Sequence, residues 1–332
     1  MDLVSFFHSY LGMYLAQAFI HSLVAALVVD SSIAAWNIVN PRVRQRLRLI
    51  VIVAPLLLYP FYQAVSPDRG STWFRLEALF DTGRWLHLAF WDGFTLGAVF
   101  LALLLFTAGV FVFQELIPIA RHFLAAKDAG GEWSTPDRDS PVARAIEDLP
   151  GSKPALFLMD DDELMLFSVT GSDPAVVMTT GLAGSLSADE IRAAVAHEMG
   201  HIDRGRKPLL VAVFVLRVLS FYNPVALMEF RRIIEEEEKI CDDIAVSLTG
   251  NAAALASVLR RFHGGDDPAD PTEGRSAQGI KDRIEDYSHS LLMEHRLARL
   301  EQKGEPERTE GSGAFLSVLL TAVIMLINYF IV

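Results

Sequence analysis

The chain has 332 residues, of which 52% are hydrophobic, and a formal net charge of −12 at pH 7. This apolar composition is typical of a protein that is partly embedded in a membrane, and it argues against an entirely soluble globule. Lys and Arg cluster in only one short run, so nucleic acid is excluded as a direct partner. The single cysteine, Cys241, excludes an internal disulfide and is consistent with a reducing compartment.

The charge is distributed unevenly along the chain. Residues 1–120 carry seven basic and seven acidic side chains, so the whole net charge falls on the remaining residues. We therefore expect a membrane domain over residues 1–120, a linker rich in Gly, Pro and Ser over 121–141, and a separate acidic domain over 142–313. The fold class that this indicates is an α-helical integral membrane protein with a cytoplasmic α+β domain.

Four apolar segments are candidates for crossing the membrane. Residues 3–29 contain no Lys, Arg, Asp or Glu, and at about 1.5 Å per residue a helix of this length crosses a hydrocarbon core of roughly 30 Å. The segment is too long for a signal-peptide core and no basic region precedes it, so we expect a retained anchor. The other candidates are 49–65, which Pro55 and Pro60 interrupt, 95–119 and 314–332.

The orientation follows from the arginines of NPRVRQRLR between the first two segments, because such loops stay in the cytoplasm: Arg42, Arg44, Arg46 and Arg48. Counting crossings from this loop predicts a multi-pass protein of a bacterial-type inner (plasma) membrane. Both termini are then extracytoplasmic and the acidic domain is cytoplasmic. The aromatic residues of the outer loop are expected to anchor it at the membrane surface: Trp73, Phe74, Trp85, Phe90 and Trp91.

The acidic domain begins with a strand pattern. Residues 154–169 predict a strand pair around an acidic turn, and residues 174–182 predict a further strand. Ser187 and Glu190 then form a capping box, which predicts a helix over 188–203. Because the strand at 174–182 directly precedes this helix, it is a candidate edge on which an extended substrate could align by strand addition.

The predicted helix carries the sequence HEMGH. His197 and His201 are one turn apart, so both rings project from one face and can bind one metal ion. Glu198 points away by about 100 degrees, which keeps it out of direct coordination but close enough to hold a water molecule. The pattern therefore predicts a hydrolytic zinc site.

A third ligand is required, and the run EEEEKICDDIAV over 235–246 offers it. Both Glu238 and Glu237 border apolar positions on a helix. Glu238 is favoured because Asp242 follows it one turn later and can orient a ligand histidine through its second ring nitrogen, whereas Glu237 has Cys241 there. Cys241 itself is interpreted as a small packed residue.

An apolar stretch, 208–227, separates the histidines from Glu238. Its longest uninterrupted run is marginal for a membrane span, because Arg217 and the Asn223-Pro224 pair break it. A full crossing would also put Glu238 on the other side of the membrane from His197. We therefore expect a helix that either packs in the domain or dips into the inner leaflet, and whether 208–222 enters the membrane stays open.

At HEMGH and the later Glu238-x-x-Cys241-Asp242 the chain resembles the gluzincin membrane peptidases, most of all the BlaR/MecR-type antirepressor and β-lactam-sensor zinc proteases. HtpX and the CAAX prenyl proteases are more distant relatives. The resemblance implies a zincin-like protease domain that binds Zn²⁺. It implies that His197, His201 and Glu238 are the ligands, Glu198 the catalytic base and Asp242 the outer partner of a histidine.

Two departures from the family pattern stand out. Arg206 and Lys207 occupy a place where an acidic residue is common in such families. The chain also ends at Val332 without an extracytoplasmic sensor domain, so the resemblance does not extend to a β-lactam receptor.

The sequence thus predicts a membrane-bound zinc endopeptidase that cleaves a protein or peptide substrate at the cytoplasmic membrane face, in signalling or regulated proteolysis. One alternative is an HtpX-like protease that removes damaged membrane proteins. The other is a non-catalytic signalling scaffold whose metal site is structural, with Cys241 as a fourth ligand. Beyond the lipid bilayer and the substrate, no partner and no oligomeric state is predicted.

Overall fold

A computed structural model describes residues 3–91, 94–117, 133–147, 149–151, 153–169, 173–204, 206–264, 293–301 and 310–332. The chain forms two compact units. The membrane unit comprises Met1–Ala129, Leu210–Glu236 and Glu307–Val332, and the sheet unit comprises Gly130–Leu209 and Glu237–Pro306. The fold is mostly helical with one small sheet-containing domain, as predicted.

Helices form most of the membrane unit: Leu3–His8, Tyr10–Ala35, Pro41–Val65, Thr72–Glu77, Thr82–Leu86, Leu96–Phe111 and Glu310–Tyr329. A 3-10 turn, a π-helical turn and an antiparallel ribbon connect them: Pro67–Gly70, Val112–Leu116, and β1 (Ala89–Trp91) with β2 (Phe94–Thr95). Among the described residues, three helices are long and apolar enough to cross a membrane: Tyr10–Ala35, Pro41–Val65 and Leu96–Leu116. The fourth predicted segment forms the shorter apolar helix Gly313–Tyr329.

Two of these helices begin elsewhere than the hydropathy pattern predicts. Ser9 interrupts the first segment and caps the long helix, since its hydroxyl accepts a hydrogen bond from the Gly12 amide at 3.0 Å. The second helix begins at Pro41 rather than at residue 49, because Asn40 caps it and a proline is favoured in the first turn. The predicted arginine loop is therefore the first two turns of that helix, and Arg48 is buried there.

The core of the membrane unit lies where the first two long helices meet the last one. Buried side chains from all three interlock: Ala25, Val29, Val43, Leu47, Val51, Leu58, Tyr62, Leu320 and Ile324. Gly313 packs against Val43 so closely that a Cβ at this glycine would lie 3.0 Å from a Val43 methyl carbon. The helices are thus held by the close apolar packing that is usual within membranes.

The sheet unit contains four strands: β3 (Trp133–Ser134), β4 (Ala155–Met159), β5 (Leu166–Val169) and β6 (Ala175–Thr179). Their order in the sheet is β3-β4-β6-β5. β4 runs parallel to β6 and β5 runs antiparallel to it, with Leu166 opposite Met178. β3 falls within the predicted linker 121–141, whose residues 121–132 lie outside the described part of the chain.

This order corrects two predictions. β4 and β5 do not pair with each other, because β6 lies between them. β6 is therefore central, and the prediction that residues 174–182 form the edge for a substrate is wrong. The reason is visible in its sequence: AVVMT is apolar on both faces, and all five residues are buried, as expected for a strand covered on both sides.

The helices of the sheet unit are Pro141–Glu147, Thr180–Ser185, Ala188–Asp203, Ala252–Gly264 and 293–301, and the helix Pro224–Thr249 contributes residues to both units. Ala188–Asp203 is named here the HExxH helix, and Pro224–Thr249 the Glu238 helix. The HExxH helix lies in the centre of the core, where a run of small and apolar side chains is almost fully buried: Ala193, Ala194, Val195, Ala196 and Met199.

The predicted capping box at the start of the HExxH helix is present. The backbone N–H of Ser187 donates to the Glu190 carboxylate at 2.8 Å, while the Ser187 hydroxyl accepts from the Glu190 amide at 3.4 Å. Ser257, on the helix Ala252–Gly264, donates to the other carboxylate oxygen at 2.6 Å. These hydrogen bonds, first that of Ser257 and then that of the Ser187 backbone, lower the pKa of Glu190 to about 2.

Replacing Glu190 by Ala is expected to lower the free energy of unfolding of the sheet unit by about 1–3 kcal/mol, because the helix loses its cap and Ser257 loses a charged acceptor. Because folding lowers the pKa of Glu190 from 4.5 to about 2, its stabilising effect is fully present above pH 4.5 and is lost as the pH falls towards 2. Thermal unfolding of the detergent-purified protein measures both effects. The exposed neighbour Asp189, replaced by Ala, is the control, and equal stability of the two variants at pH 7 would contradict this account.

Candidate metal centre

The two histidines of the HExxH helix face one carboxylate of the Glu238 helix. Their rings lie edge to face, with centroids 4.8 Å apart. Nε2 of His197 lies 3.3 Å from Oε2 of Glu238, and Nε2 of His201 lies 3.7 Å from Oε1 of the same carboxylate. One donor atom from each of the three residues lies within 4.8 Å of the others. Two histidines of one helix and a glutamate of another thus present two nitrogens and a carboxylate oxygen to one point.

This donor set fits a zinc ion. Zinc binds imidazole nitrogen and carboxylate oxygen at about 2.0–2.2 Å in a tetrahedral arrangement, so neighbouring ligand atoms are about 3.4 Å apart. Each histidine Nε2 lies at a comparable distance from one oxygen of Glu238, 3.3 Å for His197 and 3.7 Å for His201. Three protein ligands leave one tetrahedral position for water or substrate, as catalytic rather than structural zinc sites do.

The second ring nitrogens of both histidines also have neighbours. Nδ1 of His197 lies 3.0 Å from Oδ1 of Asp242, and Nδ1 of His201 lies 2.9 Å from Sγ of Cys241. Each imidazole therefore presents Nε2 to Glu238 and Nδ1 to a side chain about one turn further along the same helix. A partner at Nδ1 fixes the ring orientation and the tautomer that a metal ligand needs.

Gly200 allows this close approach of the two helices. A Cβ built on Gly200 would lie 3.4 Å from both Cα and Cβ of Cys241, which is van der Waals contact. No larger side chain fits between the helices at this point without moving one of them. The small residue inside HEMGH therefore sets the separation between His201 and Cys241.

Arg296, on the helix 293–301, joins the site from a third direction. It is 7% exposed, and it donates to both oxygens of Asp242, from Nε at 2.8 Å and from Nη2 at 2.7 Å. Its Nη1 lies 3.4 Å from Oε2 of Glu238. The guanidinium of Arg296 thus contacts two carboxylates: that of Glu238, the candidate ligand, and that of Asp242, which contacts Nδ1 of His197. The next turn of the same helix is held by Arg299, which donates to Asp243 at 2.7 Å.

These contacts determine the protonation of the site. Burial favours the neutral form of Glu238, but His197, His201 and Arg296 outweigh it and lower the pKa of Glu238 to about 2. The pKa of Asp242 is also lowered, against burial, by Arg296 and His197. Burial disfavours protonated His197, yet Asp242 and Glu238 raise its pKa to about 9. Both carboxylates are ionised at neutral pH, which is the state that a cation requires.

A second group of possible metal ligands shares His201 with the first, and it comprises His201, Glu237 and Cys241. Here a cation is already present, because Arg204 donates to both oxygens of Glu237, at 2.8 and 2.9 Å. An arginine in this bidentate geometry occupies the carboxylate that a metal would use. The group built on Glu238 is therefore the better candidate, in line with the choice of Glu238 over Glu237.

Glu198 follows His197 on the same helix, and its side chain is partly exposed, whereas its neighbours His197 and Met199 are buried. A partly exposed carboxylate beside the first histidine is accessible to water and to an arriving substrate. The structure thus brings together His197, His201, Glu238 and Asp242, and it leaves Glu198 beside them on the accessible side of the helix.

Sequence reasoning missed Arg296, Arg204 and the spacing role of Gly200. Arg204 has a detectable signal, because it follows the HExxH helix directly and is the first cation after His201. Gly200 also has one, since an isolated glycine in a helical pattern often marks a close backbone contact. Arg296 has none, because it lies more than fifty residues after Asp242 with no fixed spacing to it.

Known proteins resemble this chain in the same region. Residues 140–267 match peptidase family M48. A protease HtpX homolog of Leuconostoc citreum (strain KM20) is 24% identical over 247 residues, covering 58% of this chain and 83% of the relative. The homolog of Acidiphilium cryptum (strain JF-5) is 29% identical over 215 residues, covering 54% and 74%. A plastoglobule-localized metallopeptidase 48 of Arabidopsis thaliana is 26% identical over 106 residues, covering 30% of this chain and 31% of the relative.

The matched region includes His197, Glu198, His201, Glu238 and Asp242, whereas Arg296 lies beyond it. The family match does not support the more specific resemblance to the BlaR/MecR-type proteases. The similar proteins include HtpX homologs, a group that the sequence motifs indicated as more distantly related. Together with the three apolar helices, the match of residues 140–267 and the HtpX-type relatives support a membrane metallopeptidase that is similar to family M48.

Proposed function

We propose that the chain is a zinc-dependent endopeptidase that cleaves peptide bonds at the cytoplasmic membrane face, with His197, His201 and Glu238 as the metal ligands. One observation carries this proposal: one donor atom from each of His197, His201 and Glu238 lies within 4.8 Å of the others, so that the three side chains converge on one point. Asp242 contacts the ligand His197, and Arg296 contacts the ligand Glu238.

Zinc, when bound, makes water more acidic and polarises the carbonyl of the bond to be cleaved. The other steps fall to side chains of this chain. Glu198 accepts the proton of the attacking water, and the same carboxyl group then donates a proton to the leaving amine. Asp242 keeps Nδ1 of His197 protonated, so that Nε2 stays free to bind the metal.

The substrate is proposed to add to β5 as a further strand. β5 is the outermost strand of the sheet in the part of the chain that the structure describes, and Leu166 packs against the core cluster that contains the HExxH helix. The Thr179 amide donates to the Met165 carbonyl at 3.1 Å, so the alternation of antiparallel pairing turns the backbone groups of Leu166 and Ser168 away from β6. They are available to an extended peptide.

The biological role has two candidates. The Glu238-x-x-Cys241-Asp242 element supports the BlaR/MecR-type role, cleavage of a specific regulator in signalling, whereas the HtpX homologs in the comparison support removal of damaged membrane proteins. Quantitative proteomics of membranes from cells that express the wild-type protein or Glu198→Gln separates them. One or a few cleaved proteins indicate regulated proteolysis, and many unrelated ones indicate quality control.

The position of Cys241 argues against a purely structural metal site. A structural site needs a fourth protein ligand, and the chain contains no other cysteine. Its sulfur lies 2.9 Å from Nδ1 of His201, while Nε2 of the same ring faces Glu238. Cys241 is thus on the other side of the ring from the Glu238 group.

Two substitutions separate metal binding from catalysis. Glu238→Ala is expected to lose the zinc and the activity together, because two histidines alone do not hold the ion. Glu198→Gln is expected to keep about one zinc per chain and to lose activity by roughly 10²–10⁴-fold, the usual contribution of a general base. Elemental analysis and a casein-cleavage assay on the same detergent-purified samples measure both quantities.

Glu235→Gln, in the same acidic run but three residues before Glu238, is the control and should keep both zinc and activity. Wild-type protein without zinc, or Glu198→Gln protein with full activity, would overturn the proposed function.

A proline at Ser168 tests the substrate edge. Ser168→Pro removes one outward N–H without removing a bond to β6, and it is expected to lower kcat/KM roughly 3- to 10-fold, the effect of one hydrogen bond. Ser168→Ala keeps the N–H and should match the wild type. Unchanged kcat/KM in the proline variant, with unchanged zinc content, would place the substrate elsewhere.

Arg296→Gln is expected to weaken zinc binding about 10- to 100-fold, because partners behind the ligands typically contribute that much to metal affinity. Competition with a chelator of known affinity measures the change. Arg299→Gln is the matched control, since it breaks an ion pair of the same helix, to Asp243, that does not reach the ligands. If the two variants bind zinc equally well, Arg296 only anchors its helix.

A further inference from the structure

We propose that residues 210–236 form a re-entrant helical hairpin whose tip lies near the middle of the membrane and whose outer face contacts lipid acyl chains. The first arm belongs to the helix Arg206–Leu219, the tip is the turn 220–223, and the second arm is the start of the Glu238 helix. These residues belong to the same compact unit as the three candidate spans.

The first arm has inverted polarity. Its exposed residues are all apolar and lie on one face: Val211, Ala212, Val215, Val218 and Leu219. The opposite, buried face carries Val213, Arg217 and Ser220, so the arm's only charged residue after position 210 points inward. A helix in water exposes its charges and buries its valines. The reverse arrangement indicates that the surrounding medium is lipid.

Arg217 attaches this arm to the third candidate span. The arginine is completely buried, and its Nη2 lies 3.1 Å from Oε1 of Glu115, in the π-helical turn that ends the span. The guanidinium also lies over the ring of Phe111, 4.7 Å from its centroid. The lipid-facing side of the arm is therefore continuous with the apolar surface of a membrane helix.

The tip lies beside the centre of the first long helix. Nδ2 of Asn223 donates to the Ser22 hydroxyl at 2.7 Å, and both side chains are buried. Ser22 is near the midpoint of Tyr10–Ala35, about 18 Å from either end at roughly 1.5 Å per residue. Oδ1 of Asn223 accepts from the Val225 amide at 3.0 Å and so caps the second arm. The side chain of Asn223 thus finds its hydrogen-bond partners within the protein, as a polar group within a bilayer must.

The second arm returns along the same helix towards its arginine-rich end. Six residues after Asn223, Glu229 accepts a hydrogen bond from Arg48 at 3.0 Å, and Arg48 also reaches Asp30 at 3.2 Å. Arg232 donates to Asp30 at 2.9 Å. From Asn223 to Glu229 the arm rises about 9 Å, and from Ser22 to Asp30 the span rises about 12 Å, so the two run side by side.

The length of the first arm excludes a full crossing. Its helix has 14 residues, which is about 21 Å and short of a hydrocarbon core of roughly 30 Å. Together with the return contacts of Glu229 and Arg232, this makes the segment a hairpin that enters and leaves on one side. Of the two predicted arrangements for 208–227, the structure favours insertion into the membrane.

Spin-label accessibility in the full-length protein, reconstituted into phosphatidylcholine and phosphatidylglycerol vesicles, tests the hairpin. Labels at Val211→Cys, Val215→Cys and Leu219→Cys occupy exposed positions, and the native Cys241 is completely buried, so unsubstituted protein gives the background. Collision rates with oxygen, which concentrates in lipid, and with a water-soluble nickel chelate are compared. Leu105→Cys in the third span and Asp189→Cys in the sheet unit are the references for lipid and water.

The expected result is a ratio of oxygen to nickel collisions that rises from Val211 through Val215 to Leu219 as the arm descends, and that at Leu219 equals the ratio at Leu105. A ratio equal to that at Asp189 would show a helix in water. An equal, high ratio at all three positions would show a helix lying flat at the surface. Low rates with both reagents would show that protein, such as a second copy of the chain, covers the face. Each of these three results overturns the proposal.

Discussion

The structure depends on one constraint, which is that two segments of the chain must meet around a single point after a long apolar excursion. The chain leaves the sheet unit after the HExxH helix, passes through residues 210–236 of the membrane unit, and returns to the sheet unit at Glu237. The histidines and Glu238 converge nevertheless, to separations of 3.3 and 3.7 Å. An excursion that ended on the other side of the membrane would separate them.

Electrostatics holds this meeting point together from both helices. Glu238 and Asp242 place two negative charges one turn apart in a buried setting, and such a pair is costly without a counter-charge. Arg296 supplies one positive charge to both, and the histidines respond to the rest, as the raised pKa of His197 shows. With neutral histidines, Glu238, Asp242 and Arg296 together carry a net charge of −1, which would attract a cation.

Local patterns predicted the centre of the site, whereas long-range pairing escaped them. The HExxH spacing and the Ser187–Glu190 cap are set within one helix, so the sequence alone located His197, His201 and the helix that carries them. The strand order is not local. No pattern in residues 154–182 indicates that β6 lies between β4 and β5. The sequence therefore led to the wrong prediction that the strand at 174–182 is an edge strand. Arg296 was missed for the same reason, because only the folded chain brings it to Asp242.

The contact between Gly200 and Cys241 has a consequence for how this site can vary. The two helices touch almost backbone to backbone there, because a Cβ added at Gly200 would lie 3.4 Å from both Cα and Cβ of Cys241. Side-chain size therefore limits position 200 more than side-chain chemistry does. Glycine fits, a methyl group just fits, and any branched side chain would push the two helices apart. A larger side chain at that point would separate His201 from Cys241 while leaving every proposed ligand intact, so the proposed metal centre could be disabled by steric bulk alone.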